Sequence, residues 1–210
     1  KLLKILKDDE TLKPICKLID IKNSILDFQH QLIDLTKDKL SHLLQKVIDE
    51  NVIVEIIPED LNNFFQICFI LDNINRVPKN VNIWLIYLLI YITPENTLKE
   101  IFKITYCIDF LYSKIEEPKP NELNQLVVAT KKLMAAVKKC SQPDGYFKSS
   151  PNLSPIEELR YALFSINLLE DITQDMIHYH KIEELKPIKK IYANVPNLEK
   201  VATIIKKTGI

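Results

Sequence analysis

SPIEELRYALFSINLLED, residues 154–171, opens with a serine, then a proline, and places a glutamate three positions after the serine. A serine hydroxyl ahead of a helix accepts one of the N–H groups that the first turn leaves without a partner. A glutamate at the third helical position returns a bond to the serine's own amide. Proline suits the position between them, because its ring presets φ and its missing N–H is not needed in the first turn. Ser154–Glu157 is therefore a capping box, and it predicts a helix from Pro155 to about Asp171.

The same logic extends along the chain. Pro58-Glu59-Asp60 and Thr93-Pro94-Glu95 each pair a proline with acids that suit a helix N-terminus, and Thr93 is the expected cap of the second. Eleven prolines punctuate the sequence, against two glycines, Gly145 and Gly209. Glycine supplies the positive φ of tight hairpins and phosphate loops, so a chain nearly without it is read as all-α and short of loop-borne chemistry. About ten helices joined by short turns are expected, stacked as antiparallel hairpins. Either a helical-repeat solenoid of the HEAT or armadillo kind or an irregular helical bundle fits that pattern.

The individual elements follow from apolar spacing. Leu12, Ile15, Cys16 and Ile19 form one stripe, and further helices begin near Ser24 and Asp38. NVIVEII, 51–57, is the one strand-like run and reads as an extended connection or a helix end. The helix opened at Pro58 carries Leu61, Phe64, Phe65, Cys68 and Leu71. VNIWLIYLLIYI, 81–92, is too short for a membrane span, which needs about 20 apolar residues. Being apolar on every side, it is expected as the central buried helix, with the Tyr87 and Tyr91 hydroxyls on a face reaching water or a polar partner. Ile101, Ile104, Ile108, Leu111 and Ile115 mark the next helix, and Leu123 to Cys140 a long amphipathic one. Shorter helices are expected over 173–181, 182–194 and 196–208, the last stopped by Gly209. The whole of 1–210 is read as one helical domain with a joint at 117–121, separating 1–117 from 121–210.

Chemistry is sparse. No glycine-rich phosphate loop, H-E-x-x-H, G-x-S-x-G or C-x-x-C occurs. Asp171, Asp175 and His178 share a helical face, and a solvated stripe is the favoured reading over a metal site, which would recruit ligands from other helices. No catalytic, metal or cofactor residue is assigned. Cys16, Cys68, Cys107 and Cys140 read as thiols in a reducing intracellular compartment, cytoplasmic or nuclear. Cys140 ends a lysine-rich helix, where cations favour thiolate, but lysines there also complement the helix dipole. The chain opens at Lys1 without methionine and is read as a domain excised from a longer protein.

Charge is more informative. The formal net charge is +0, so no global field draws the chain to nucleic acid. Lys131, Lys132, Lys138 and Lys139 recur at a seven-residue interval opposite an apolar stripe, and Lys186, Lys189, Lys190, Lys206 and Lys207 enrich the C-terminal part. Together they are the candidate basic face for a partner, set against the favoured reading of a plain solvated face. Arginine, favoured for bidentate phosphate and base contacts, is scarce there, so an acidic or helical protein segment ranks above nucleic acid. The 141–154 loop holds Ser150-Pro151 and Ser154-Pro155, the dipeptide that proline-directed kinases read, together with Tyr146 and Phe147. It is the candidate regulatory loop, its two aromatic residues serving either to anchor it or to meet a partner.

From about Leu123 to Ile210, above all in LKPIKKIYANVPNLEK (185–200), the chain resembles helical interaction domains of the transcription elongation-factor N-terminal type. That resemblance implies binding of short disordered motifs and no enzymatic activity. Taken with the sparse chemistry, the expectation is a non-enzymatic scaffold or adaptor domain that binds a partner peptide or helix in a helix-lined groove, with a metal- or thiol-dependent enzyme ranked third. A helical regulator of a small GTPase or of membrane-trafficking machinery is the alternative.

Overall fold

The computed structural model describes residues 57–143, 145–182 and 185. All regular secondary structure among them is helical: α1 (Leu61–Asn73), α2 (Val81–Leu88), a 3-10 turn (Leu89–Tyr91), α3 (Leu98–Tyr112), α4 (Pro120–Cys140) and α5 (Pro155–His180). The readings made for 1–56 and beyond 185, including the 51–56 part of the strand-like run, the helices over 182–194 and 196–208 and the Gly209 stop, lie outside the described residues. No described helix is long and apolar enough to cross a membrane. The contacts separate two compact units; among described residues one holds 57–87 and 110–116, the other 88–109 and 117 onward.

In the first unit α1 starts later than its proline suggests. Asp60 is the cap, its carboxylate accepting the Asn63 N–H at 2.9 Å, so Pro58 and Glu59 precede the helix. At the other end Asn75 adopts φ 53, with its N–H on the Asp72 carbonyl at 3.0 Å and the Arg76 N–H on the Leu71 carbonyl at 2.9 Å. This is a Schellman stop, and asparagine fills the left-handed position usually given to glycine. Asn80, at φ 57, does the same at the start of α2, offering its carbonyl to the Ile83 and Trp84 amides. Glycine scarcity therefore does not remove left-handed turns; asparagine, which tolerates that region, takes them over.

Helix α2 corrects the expectation of a fully buried central helix. Trp84 and Leu85 are buried, and the Trp84 ring meets Phe64 of α1 edge-on, with centroids 5.4 Å apart. The opposite side faces water: Ile83 is 55 % exposed, and Ile86 and Tyr87 are exposed with it. In the 3-10 turn Ile90 is 62 % exposed, while the Tyr91 hydroxyl oxygen is buried instead of reaching solvent. An all-apolar run has no polar stripe to choose its outer face, so packing alone decides which side is covered.

The second unit is built on α4 and α5, which pack against each other. Cys140, the last residue of α4, lies close enough to Glu158 in the first turn of α5 for their charges to interact, so the two helices run antiparallel. Leu126, Val127, Thr130, Leu133, Met134 and Val137, spaced by three and four, are buried, while Leu123, on the same stripe, is half-buried. The α4 start is one-sided. Glu122 accepts the Lys119 amide at 2.9 Å, but a lysine side chain has no acceptor to offer in return.

Helix α5 keeps the predicted start and overruns the predicted end. Glu157 accepts the Ser154 amide at 2.9 Å, and the Ser154 hydroxyl accepts the Glu157 amide at 3.3 Å. The helix then continues unbroken to His180, absorbing the separate 173–181 element, because Ile172, Thr173 and Met176 prolong its buried stripe. It stops where Lys181 turns left-handed at φ 54. Helix α3 begins at Leu98, not after Thr93. Its box is Thr97 with Glu100: the Thr97 amide and hydroxyl reach the Glu100 carboxylate at 2.8 and 2.9 Å. Thr93 instead closes a turn with Asn96, whose side-chain oxygen accepts the Thr93 amide.

Candidate functional site

Two features of the second unit bring polar and aromatic side chains together: the 141–154 loop and the surface where Phe102 of α3 meets α5. The loop leaves α4 as a narrow turn. Ser141 and Phe147 form an antiparallel bridge, the Lys148 amide reaches the Cys140 carbonyl at 2.9 Å, and the Gln142 amide reaches the Tyr146 carbonyl at 2.8 Å. Gly145 sits inside this turn at φ 90, where a side chain would strain the backbone. Phe147 is buried, so it anchors the loop, and Tyr146 is half-buried.

Beyond the turn, one carboxylate organises the chain. Glu158 is 1 % exposed and accepts three hydrogen bonds: from the Ser149 amide at 2.8 Å, the Ser149 hydroxyl at 2.7 Å and the Ser150 amide at 2.8 Å. The Ser149 hydroxyl in turn accepts the Leu98 amide at 2.8 Å. Leu98 opens α3, so that amide is one of the helix's otherwise unpartnered donors. Glu158 thus pins the loop to the start of α5, and through Ser149 to the start of α3. Sequence reasoning did not single it out, since serines eight and nine residues upstream make no local capping pattern.

The pin also bears on Cys140. Burial pushes its thiol above the usual range and the Glu158 charge pushes in the same direction, against a smaller opposing pull from Lys139. A thiolate is therefore disfavoured, contrary to what the lysines alone would suggest. Cys68 and Cys107 are buried thiols. Asp171, Asp175 and His178 all lie exposed along α5, and no group of three or more potential metal ligands converges among the described residues.

On the outer surface the first two turns of α3 approach the first three turns of α5. Lys99 lies near Glu157, and one turn on Phe102 meets Tyr161 at 5.6 Å and Phe164 at 5.8 Å between ring centroids. Tyr106 adds a fourth ring, 6.2 Å from Phe102. Phe102, Tyr106 and Tyr161 are half-buried, while Phe164 is 47 % exposed. The Arg160 guanidinium stands 5.7 Å over the Phe164 ring, a cation–π arrangement. Glu157, between Lys99 and Arg160, is held below the usual carboxylate range, first by the Ser154 amide and hydroxyl and then by those two cations.

The lysines singled out from the sequence fall elsewhere. Lys132, Lys138 and Lys139 are exposed on α4 and Lys131 is half-exposed, while Lys186, Lys189, Lys190, Lys206 and Lys207 lie outside the described residues. Ser154 is the α5 cap and Ser150 one of the residues held by Glu158. The aromatic surface was not anticipated. Its signal was present as aromatics at 102, 106, 161 and 164, each pair on one helical face, but nothing in the sequence sets α3 against α5. Comparison with family models, curated proteins and solved structures finds no match.

Proposed function

We propose that this chain is a non-enzymatic interaction domain, a scaffold or adaptor that binds a protein segment across the α3–α5 surface. The reading is carried by one observation, the half-exposed cluster of Phe102, Tyr106, Tyr161 and Phe164 with Arg160 laid over its most exposed ring. Aromatic side chains offer large contact area at low entropic cost, and aromatic and arginine residues dominate the energy of protein interfaces. Lys99 and Arg160 flank the rings, which suits an acidic segment carrying an apolar anchor, in extended or helical form. The exposed lysines of α4 extend the same preference for an acidic partner. About ten helices stacked as hairpins, of which α4–α5 is one, would frame that surface. Buried thiols at Cys68 and Cys107 suit a reducing, intracellular compartment.

The test is selection of random 16-residue peptides displayed on phage against the immobilised 210-residue chain. Enriched peptides are expected to place Leu, Phe or Trp among Asp and Glu. Phe164→Ala and Arg160→Glu are each expected to weaken them about tenfold or more while leaving the melting temperature close to wild type. No enrichment, or peptides that bind both variants as well as wild type, would overturn the reading.

A further inference from the structure

The chain carries two serine–proline pairs within six residues, and the structure treats them differently. Ser154 is locked: its hydroxyl donates to Glu157 at 2.8 Å and accepts the Glu157 amide, and the residues after it are already helical. Ser150 is half-exposed, and the residues after it, Pro151 to Leu153, are non-helical, with Pro151 and Asn152 exposed. The Ser150 hydroxyl accepts only a long bond from the Asn152 amide, 3.2 Å, across a local turn. A kinase that requires proline directly after its acceptor needs that stretch outside a helix; 149–153 is a non-helical turn, whereas Ser154 is built into a capped helix start.

We propose that Ser150 is a phosphorylation site for a proline-directed protein kinase, and that the phosphate releases the loop from Glu158. The γ-phosphoryl group of ATP passes to the Ser150 oxygen, the bond from the γ-phosphorus to the bridging oxygen of ADP breaks, and the hydroxyl proton goes to the kinase's base. The Ser150 amide is itself bonded to Glu158 at 2.8 Å, and covalent geometry keeps a serine Oγ within about 4 Å of its own nitrogen. A dianion on that oxygen therefore stands beside a carboxylate that is 1 % exposed. Repulsion between them is poorly screened there, whereas Lys148, the nearest cation in sequence, is exposed and solvated. The cheapest relief is for Ser149 and Ser150 to swing away, which gives up all three bonds to Glu158 and takes the Ser149 hydroxyl off the Leu98 amide. Phosphorylation thus undoes the link between the loop and the first turn of α3. A phosphate at a helix N-terminus is ordinarily stabilising; four residues upstream of the cap, against a buried acid, its effect reverses. The inference stands independently of the peptide-binding reading, because its readout needs no peptide.

The experiment treats the 210-residue chain with a purified proline-directed kinase and Mg·ATP, maps the phosphate by mass spectrometry and follows amide hydrogen exchange. Phosphate is expected on Ser150 ahead of Ser154, with exchange of the 148–153 amides and of Leu98 about tenfold faster, and with Glu158→Gln blunting that change. The matched pair Ser150→Glu and Ser150→Gln asks the same question without touching Glu158, and only the glutamate should accelerate exchange. Phosphate confined to Ser154, no phosphate, or phosphorylated Ser150 with unchanged exchange would overturn the proposal.

Discussion

The 81–91 stretch and α5 differ in a way that separates hydrophobicity from burial. The first is nearly continuous apolar sequence, yet Ile83, Ile86, Tyr87 and Ile90 are exposed. Helix α5 carries charge along much of its length, yet Leu159, Ala162, Ile166, Leu169, Ile172 and Met176 form an unbroken inner stripe. An alternating pattern specifies which side turns inward; an unpatterned run leaves that to its neighbours. The contrast extends to the helix ends. Helix α5 starts on reciprocal bonds between Ser154 and Glu157, while α2 starts on the carbonyl of a left-handed asparagine.

The sharpest break of that contrast is Trp84→Ala. Truncating this 1 %-exposed ring, packed on Phe64, is expected to cost about 3–5 kcal/mol in urea unfolding. A near-wild-type midpoint would mean that the inner side of α2 is not core. Next is Glu158→Ala, which strips the acceptor from two amides and a hydroxyl and is expected to cost about 2–3 kcal/mol. Faster exchange at Ser149, Ser150 and Leu98 should accompany the loss, and unchanged exchange there would break the pin.

Smaller effects sharpen the helix ends. Ser154→Ala is expected to remove about 1 kcal/mol as an N-cap loss, read by thermal unfolding at neutral pH. Its pH signature follows from Glu157, whose folded pKa is lowered by the Ser154 amide and hydroxyl. A lowered folded pKa means stability that is present above the ordinary carboxylate range and is lost as pH falls through the folded value. Alanine keeps the amide and removes the hydroxyl, so the acid-side slope of stability against pH should flatten in part in Ser154→Ala, and an identical slope would remove the hydroxyl as a source. Lys181→Gly is expected to gain about 1 kcal/mol, since glycine takes the left-handed stop without the Cβ penalty. The smallest effect belongs to the outer side of α2: Ile83→Ser and Ile86→Ser are expected to shift stability by about 0.5 kcal/mol or less. A loss comparable to that of Trp84→Ala would show that this side is covered in solution.

What was legible in the sequence was short-range. The all-helical class, the Ser154–Glu157 box and the inward residues of α4 follow from spacings of three and four, because a helix brings those positions together whatever surrounds them. Proline was less reliable: Pro58 and Pro94 precede turns, and the caps that count are Asp60 and Thr97 a few residues later. Thr97-Leu98-Lys99-Glu100 has the pattern of a box, which the nearby proline obscured. Glycine scarcity announced helices, but Asn75, Asn80 and Lys181 took the left-handed turns that glycine would have occupied.

Only the tertiary structure decided which side of α2 faces water, that Glu158 is the acceptor for Ser149 and Ser150, and that Phe102 meets Tyr161 and Phe164. Each of these joins residues that no helical repeat relates, from Phe64 with Trp84 to Leu98 with Ser149. Local periodicity sets where a side chain points from its own helix. Which neighbour stands there is set by how whole elements pack, and that is where a buried carboxylate becomes a latch and scattered aromatics become a surface.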